Sequence, residues 1–264
     1  MELKILGPVR ARVEDRSGGR TTTMRESDLG GTKPRTVLAV LLLARDGAVC
    51  DDRLSELLWG SRPPTTAIGQ LHTYASRLRR ELGREVPLLR VGRGYRLISR
   101  HLRIDYAEFL RLTTAGRQAL AQGHPERAAS QLRGALRLWR GDALTDVTPQ
   151  LAAAERPRLE ELQLEALEGR TEADLLLGEH GRLVCELTGL VARYPLRERL
   201  RAQLMIALCR SGRQADSLDV YRAGRRILTE ELGVDPGPLL QAAHGAVLAG
   251  GTVATGGAVL AGVR

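Results

Sequence analysis

Residues 65–82 read TTAIGQLHTYASRLRREL. Apolar side chains recur there at Ile68, Leu71, Ala75, Leu78 and Leu82, at spacings of 3, 4, 3 and 4. That period lays a single buried stripe along an α-helix, with Thr65 or Thr66 as its cap. On the opposite face stand Thr66, Gln70, Thr73, Ser76, Arg77 and Arg80, with Tyr74 at the edge. Such a face suits the major groove of duplex DNA, which admits one helix and is read by Arg at guanine and Gln at adenine. Taken alone, the same arginines also suit an ordinary solvated helix surface.

The flanks give this helix a context. Ahead of it, Ser61-Arg62-Pro63-Pro64 blocks helix continuation, because each proline lacks an amide proton and restricts its predecessor. Before that loop, Asp51 is the expected cap of a short helix carrying Leu54, Leu57, Leu58 and Trp59, with Gly60 at its end. An Asp46-Gly47 turn separates it from a first helix over about 34–44, capped by Thr32, with Pro34 in the first turn and Val37, Leu38, Val40, Leu41 and Leu42 inward. Further upstream, Leu3, Ile5 and Val9 alternate around Gly7-Pro8, which predicts short antiparallel strands; the polar stretch 16–23 blurs their limits. Beyond Gly83, two β runs, Leu88–Val91 and Tyr95–Ile98, flank Gly92-Arg93-Gly94. They predict a basic hairpin, a wing that touches phosphate or the minor groove.

Charge supports the same division of labour. The 264 residues include 40 basic and 31 acidic side chains, and only Lys4 and Lys33 among the basic ones are lysine. Guanidinium binds phosphate and guanine bidentately where ammonium acts as a point charge, although the codon composition of the source would also favour arginine. Positions 1–100 carry 19 basic against 11 acidic residues, and positions 101–264 carry 21 against 20. One half is therefore the polyanion-binding candidate. Hydrophobic residues at 43% exclude a wholly disordered chain. Cys50, Cys185 and Cys209 form no close pair, which argues against a disulfide framework or a CxxC metal site and fits a reducing cytoplasm. The N-terminal MELKILGPVRARVEDR has no long apolar run and is not read as a signal peptide. The uncharged stretch 245–263 contains six Gly and two Thr, so it reads as a flexible Gly/Ala/Val tail rather than a membrane span.

Residues 101–245 are helical by pattern. Ala128, Leu132, Ala135, Leu136 and Trp139 share a face, as do Leu183, Leu187, Leu190, Val191 and Tyr194, and then Leu196, Leu200, Leu204 and Leu208. Turns fall at Gly123-His124-Pro125, Gly178–Gly181, Tyr194-Pro195 and Ser211-Gly212. Paired helices of this kind suggest a helical-hairpin solenoid with only a weak repeat signal, an architecture that presents surfaces to partners.

The series GGTKPRTVLAVLLLA, RLSELLWGSRPPTT, QLHTYASRLRRELG and GRGYRL resembles the winged helix-turn-helix domain of response-regulator type. With WRGDAL, LEELQLEALEGR, YPLRERLRAQLMIALCRSGRQADSLDVYR and TEELGVDPGP, the chain is similar over about residues 2–245 to the short form of the Streptomyces antibiotic regulatory protein family. The resemblance implies a mainly α fold: a winged helix-turn-helix with a small sheet and wing over 1–100, then a tetratricopeptide-like bacterial transcriptional activation domain over 101–245, with the tail from 246. It implies a transcriptional activator of an antibiotic or secondary-metabolite cluster that binds direct repeats in promoter DNA. It also implies recruitment of RNA polymerase holoenzyme through the turn Trp59–Thr65 and the activation domain. Trp59, Ser61, Pro63 and Pro64 are accordingly the polymerase-contact candidates, although the two prolines also serve simply to stop one helix and start the next. Head-to-tail binding on direct repeats needs no two-fold dimer, so a monomer that pairs on DNA is expected.

The DNA-contact candidates are Gln70, Thr73, Arg77 and Arg80 toward the groove, with Tyr74 at the edge of that face and Thr66 on it, and Arg62, Thr65 and Arg93 toward the backbone, where contacts set register without reading sequence. No complete P-loop or G-x-S-x-G elbow is present. His180 and Cys185 fall short of a zinc set, and His72 reads as a surface histidine that could meet a phosphate. No cofactor, metal, membrane or catalytic residue is therefore expected. A helical-repeat adaptor binding RNA or an acidic protein is the alternative. Single-stranded RNA platforms stack bases on exposed aromatics, and this chain has one Phe, two Trp and five Tyr.

Overall fold

The computed structural model describes residues 1–15, 23–83 and 86–249. The stretch 16–22 and the tail from 250 lie outside the described residues. The described residues form two compact units: those within 1–112 with 134–163, and 113–133 with 164–249.

The first unit opens with three strands, β1 (Glu2–Lys4), β2 (Arg10–Asp15) and β3 (Thr23–Glu26). β1 and β2 pair antiparallel through Leu3 and Ala11, and β2 continues to β3. Three helices follow, α1 (Thr32–Leu43), α2 (Asp51–Trp59) and α3 (Ala67–Leu82), with strand β4 (Ala48–Cys50) between the first two. β5 (Leu88–Arg90) and β6 (Gly94–Leu97) make the expected hairpin, closed by the Val91 N–H donating to the Gly94 carbonyl at 3.0 Å. β4 completes this sheet beside β6, an unforeseen third strand. A Cβ on Gly94 would stand 2.4 Å from the Val49 carbonyl oxygen, so only glycine lets β6 lie this close to β4. β7 (Arg103–Ile104) then returns to pair parallel with β1, giving a four-stranded sheet in the order β3-β2-β1-β7.

Several local expectations need correction. Ile68 is 42% exposed, and Ala67 takes its place on the buried stripe with Leu71, Ala75, Leu78 and Leu82. Both residues fit a 3.6-residue period, and the smaller one fits closest to the core. Thr66 stands at the N-cap of α3, one of the two positions expected, whereas Gly31 and Cys50 replace Thr32 and Asp51 at the N-caps of α1 and α2; none of the three accepts a capping hydrogen bond with its side chain. Asp51 is instead the first residue of α2, with its carboxylate committed to Arg90.

The remaining helices are α4 (Asp105–Ala121), α5 (Pro125–Leu136), α6 (Pro149–Leu176), α7 (His180–Arg193), α8 (Glu198–Arg210), α9 (Gln214–Leu232) and α10 (Pro238–Leu248). Trp139 lies past the end of α5 rather than on it, edge-on to Phe109 at 5.4 Å between ring centroids. Within the first unit, the segment 137–148 is tied to the strands and helices of the N-terminal hundred residues. Asp105 accepts the Ile5 and Leu6 amides at 2.8 to 3.0 Å and an Arg140 guanidinium at 3.2 Å. Burial pushes its carboxyl above the ordinary range, against the pull of those donors. Asp146 accepts the Val9 amide at 2.8 Å and Arg35 at 2.9 Å. Thr148 donates its hydroxyl to the Leu57 carbonyl at 2.6 Å and its amide to the Thr36 hydroxyl at 2.9 Å.

In the second unit, Leu183, Leu187, Leu200, Leu204 and Leu208 form one core with Leu190, Val191 and Tyr194 against it, as their period predicts. Leu196 departs from that pattern and is 42% exposed. Ala202, Met205, Leu240, Ala243 and Val247 form a second core beside it. Small residues, Ala119, Ala128, Ala129 and Ala173, make a third, where helices approach closely.

Candidate nucleic-acid interface

Recognition of a duplex by one helix needs an exposed, polar, cationic face held rigidly against a core. α3 provides it. Its inner side is fully buried from Ala67 to Leu82, while Thr66, Thr73, Ser76 and Arg80 are exposed and Gln70, Tyr74 and Arg77 are half-buried. Neighbouring turns are linked along this face: Gln70 donates Nε2 to the Thr66 hydroxyl at 3.0 Å and accepts the Tyr74 hydroxyl at 3.0 Å. Thr73 returns its hydroxyl to the Gly69 carbonyl at 3.0 Å. Burial raises the Tyr74 phenol, so it stays a neutral donor.

The N-terminal end of α3 is open. Ser61, Arg62, Pro63, Thr65 and Thr66 are exposed, and Pro64 is half-buried. Trp59 stacks against Tyr74, ring centroids 6.5 Å apart, and carries the Lys33 ammonium 5.1 Å above its ring. It is thus half-buried between α1 and α3 rather than displayed with the proline loop. Arg93 stands exposed at the wing tip. Neither Arg62 nor Arg93 makes an ion pair among the described residues, so both guanidinia remain available to a polyanion.

Charge composition alone does not separate arginines free to meet a polyanion from structural ones. Arg79 donates Nε to the Leu88 carbonyl at 2.8 Å and so clamps the last turn of α3 to the wing. Arg90 grips Asp51 bidentately at 2.7 and 2.6 Å while its guanidinium sits 4.7 Å from the centre of the Tyr95 ring. Both fix the wing relative to α2 and α3. Arg77 meets Asp28 at 3.1 Å and Arg80 meets Glu81 at 3.4 Å. The Asp28 and Arg80 side chains are 78% and 74% exposed, and pairs of this kind contribute only about 0 to 1 kcal/mol, so phosphate can displace them.

The bacterial transcriptional activator domain model matches residues 104–248. The regulatory protein DnrI of Streptomyces peucetius is 38% identical over 94% of this chain and 92% of its own length. The transcriptional regulator RedD of Streptomyces coelicolor is 37% identical over 94% and 71%. The chain belongs to the Streptomyces antibiotic regulatory protein family. The regulatory protein AfsR of Streptomyces griseus is 40% identical over 91% of the chain, which spans about a quarter of that longer relative. A solved structure of Mycobacterium tuberculosis EmbR in complex with a low-affinity phosphopeptide superposes with a TM-score of 0.88 at 32% identity, over 99% of this chain and 68% of that one.

This family member's aromatic side chains bear on the RNA alternative. All of its Phe, Trp and Tyr residues are buried or half-buried, Phe109 and Tyr95 almost completely. No fully exposed Phe, Trp or Tyr ring is left as a stacking platform among the described residues, so that alternative is not favoured. His72 is exposed and edge-on to Tyr95. Among the described residues no group of three or more His, Cys, Asp or Glu could hold a metal ion, and no helix is long and apolar enough to cross a membrane.

Proposed function

We propose that this chain is a sequence-specific DNA-binding transcriptional activator of a secondary-metabolite gene cluster, and that it works without catalysis or cofactor in the cytoplasm. Residues 1–100 bind double-stranded promoter DNA. Gln70, Thr73, Arg77 and Arg80 face the major groove with Thr66 on the same face and Tyr74 at its edge, and Arg62, Thr65 and Arg93 hold the backbone. The observation that carries this reading is the exposed polar and cationic face of α3, backed by a fully buried stripe and clamped to a wing whose tip arginine makes no ion pair among the described residues. The open helix N-terminus after Pro63-Pro64 adds amide donors suited to a phosphate.

Residues 101–245 and the turn from Trp59 through Ser61, Pro63 and Pro64 recruit RNA polymerase holoenzyme. Two monomers pair head-to-tail on direct repeats. Footprinting on candidate promoters, followed by titration on the protected sequence and on a scrambled one across salt, tests the reading. The expected outcome is specific binding at least about a thousandfold tighter than nonspecific, and a linear fall of log affinity with log salt. Equal affinity for both duplexes, or tighter binding of single-stranded RNA, would overturn it. Gel filtration without DNA is expected to give a monomer.

A further inference from the structure

A cavity of about 590 Å³ opens in the first unit between β1, β7, the first turn of α4 and the segment after α5. Its volume falls in the range of small-molecule sites. Leu102, Ile104 and Leu138 give it apolar walls. The charged lining is imbalanced in one direction. Every acid on it already has a cation: Glu2 meets Lys4 at 3.0 Å, Glu108 takes Arg111 bidentately at 2.7 and 2.8 Å, and Asp105 meets Arg140 at 3.2 Å. Arg103 and Arg137 also line it, and neither has an acid partner among the described residues. Arg140, also on the wall, keeps a buried Nε–H with no acceptor.

A pocket with apolar walls, two uncommitted guanidinia and an orphaned buried donor lacks one thing, an anion carrying an apolar body. We propose that this cavity binds a small organic anion, its charged group held by Arg103 and Arg137 and its apolar part against Leu102, Ile104 and Leu138. Guanidinium supplies the planar donor fork that a carboxylate or phosphate accepts. The site is separate from the DNA-reading face and does not rest on it. Its walls include Asp105 and Arg140, which anchor the chain around Ile5, Leu6 and Pro8, so an occupant would stabilise this unit.

The probes are 1-naphthoate and its uncharged counterpart 1-naphthylmethanol, titrated into the full chain while amide chemical shifts and the unfolding temperature are followed. Naphthoate is expected to saturate, to shift the amides of residues 102–108 and 137–140, and to raise the unfolding temperature. Naphthylmethanol is expected to bind at least about tenfold more weakly, because it forgoes the charge-assisted hydrogen bonds. Arg103→Ala and Arg137→Ala, both at exposed positions, are each expected to weaken naphthoate by about tenfold while leaving naphthylmethanol and the unfolding temperature without ligand unchanged. Equal binding of the two probes, undiminished naphthoate binding in both variants, or shifts confined to other residues would overturn the proposal.

Discussion

Asp28 accepts a hydrogen bond from Arg77 at 3.1 Å and so ties the loop ahead of α1 to the outer face of α3. The other oxygen of the same carboxylate accepts the Gly30 amide at 2.9 Å. A Cβ on Gly30, where φ is +85°, would lie 2.6 Å from the Arg77 guanidinium carbon. The arginine therefore rests on the loop, held by a carboxylate that would have to let go for Arg77 to meet a guanine or phosphate, as proposed.

That relationship predicts opposite effects on folding and binding. The pair is exposed, so Asp28→Asn should change unfolding free energy by less than about 1 kcal/mol. Removing the competing charge should tighten promoter binding by up to about fivefold. Arg77→Ala should instead cost about 1 to 3 kcal/mol of discrimination between the protected and scrambled duplexes. Denaturant unfolding and DNA titration on both variants check this; weaker binding by Asp28→Asn would mean that the carboxylate positions Arg77 rather than restrains it.

At the wing tip the expectation differs, because Arg93 has no ion pair to break among the described residues. Arg93→Ala should weaken the specific and scrambled duplexes alike and lower the slope of log affinity against log salt by about one. A loss confined to the specific duplex would make Arg93 a base-reading residue.

The clamp behind the wing can be measured by a double-mutant cycle. Arg90→Ala leaves the Asp51 carboxylate, 4% exposed, without its cation. Breaking a fully buried pair costs about 3 to 5 kcal/mol; Arg90 is itself one-third exposed, so about 1 to 3 kcal/mol is expected. Asp51→Asn with Arg90→Ala should cost less than the sum of the single changes. Additive losses would show that the bidentate geometry does little for stability.

How much of this was legible beforehand follows from distance along the chain. The α3 stripe from Leu71 to Leu82, the Gly92-Arg93-Gly94 tip and the Leu183–Tyr194 face are local patterns, and each is found where its sequence put it. Arg79 and Arg90 could not be told from Arg80 and Arg93, because what commits them is a backbone carbonyl in one case and an acid 39 residues away in the other. The same holds for Thr148, whose partners Thr36 and Leu57 lie 112 and 91 residues distant. Ile68 and Ala67 show the other limit: adjacent apolar residues both satisfy a helical period, and only packing chooses between them.

In the second unit the acid limb of stability should depend on Glu186. Its carboxyl is held below the ordinary range chiefly by the Arg170 hydrogen bond, opposed by burial. A depressed folded-state value stabilises the fold above the unfolded carboxylate range and is lost as pH falls through it. Glu186→Gln should lower the unfolding temperature at pH 7, and the gap to the unaltered protein should close toward pH 3. Asp174, wholly buried and shared by Arg133, Arg170 and Arg182, is the harsher site. Its replacement by Ala should cost about 1 to 3 kcal/mol, less than for a fully buried pair, because Arg133 and Arg182 are about half exposed and Arg170 keeps Glu186.

Gly69 offers the cleanest separation of folding from recognition. It lies inside α3, one turn from Thr66 and Thr73 on the outward face, and a Cβ built there meets nothing within 4 Å. Glycine at such a position costs a helix about 0.5 to 1 kcal/mol relative to alanine, and no packing in the protein offsets that cost. A close approach of duplex DNA to the backbone would account for it. Gly69→Ala should therefore raise the unfolding free energy by about 0.5 to 1 kcal/mol while weakening specific promoter binding, with the helix content unchanged by circular dichroism. Stabilisation with undiminished affinity would place the first turns of α3 away from the DNA and leave contact to Arg77, Arg80 and the wing.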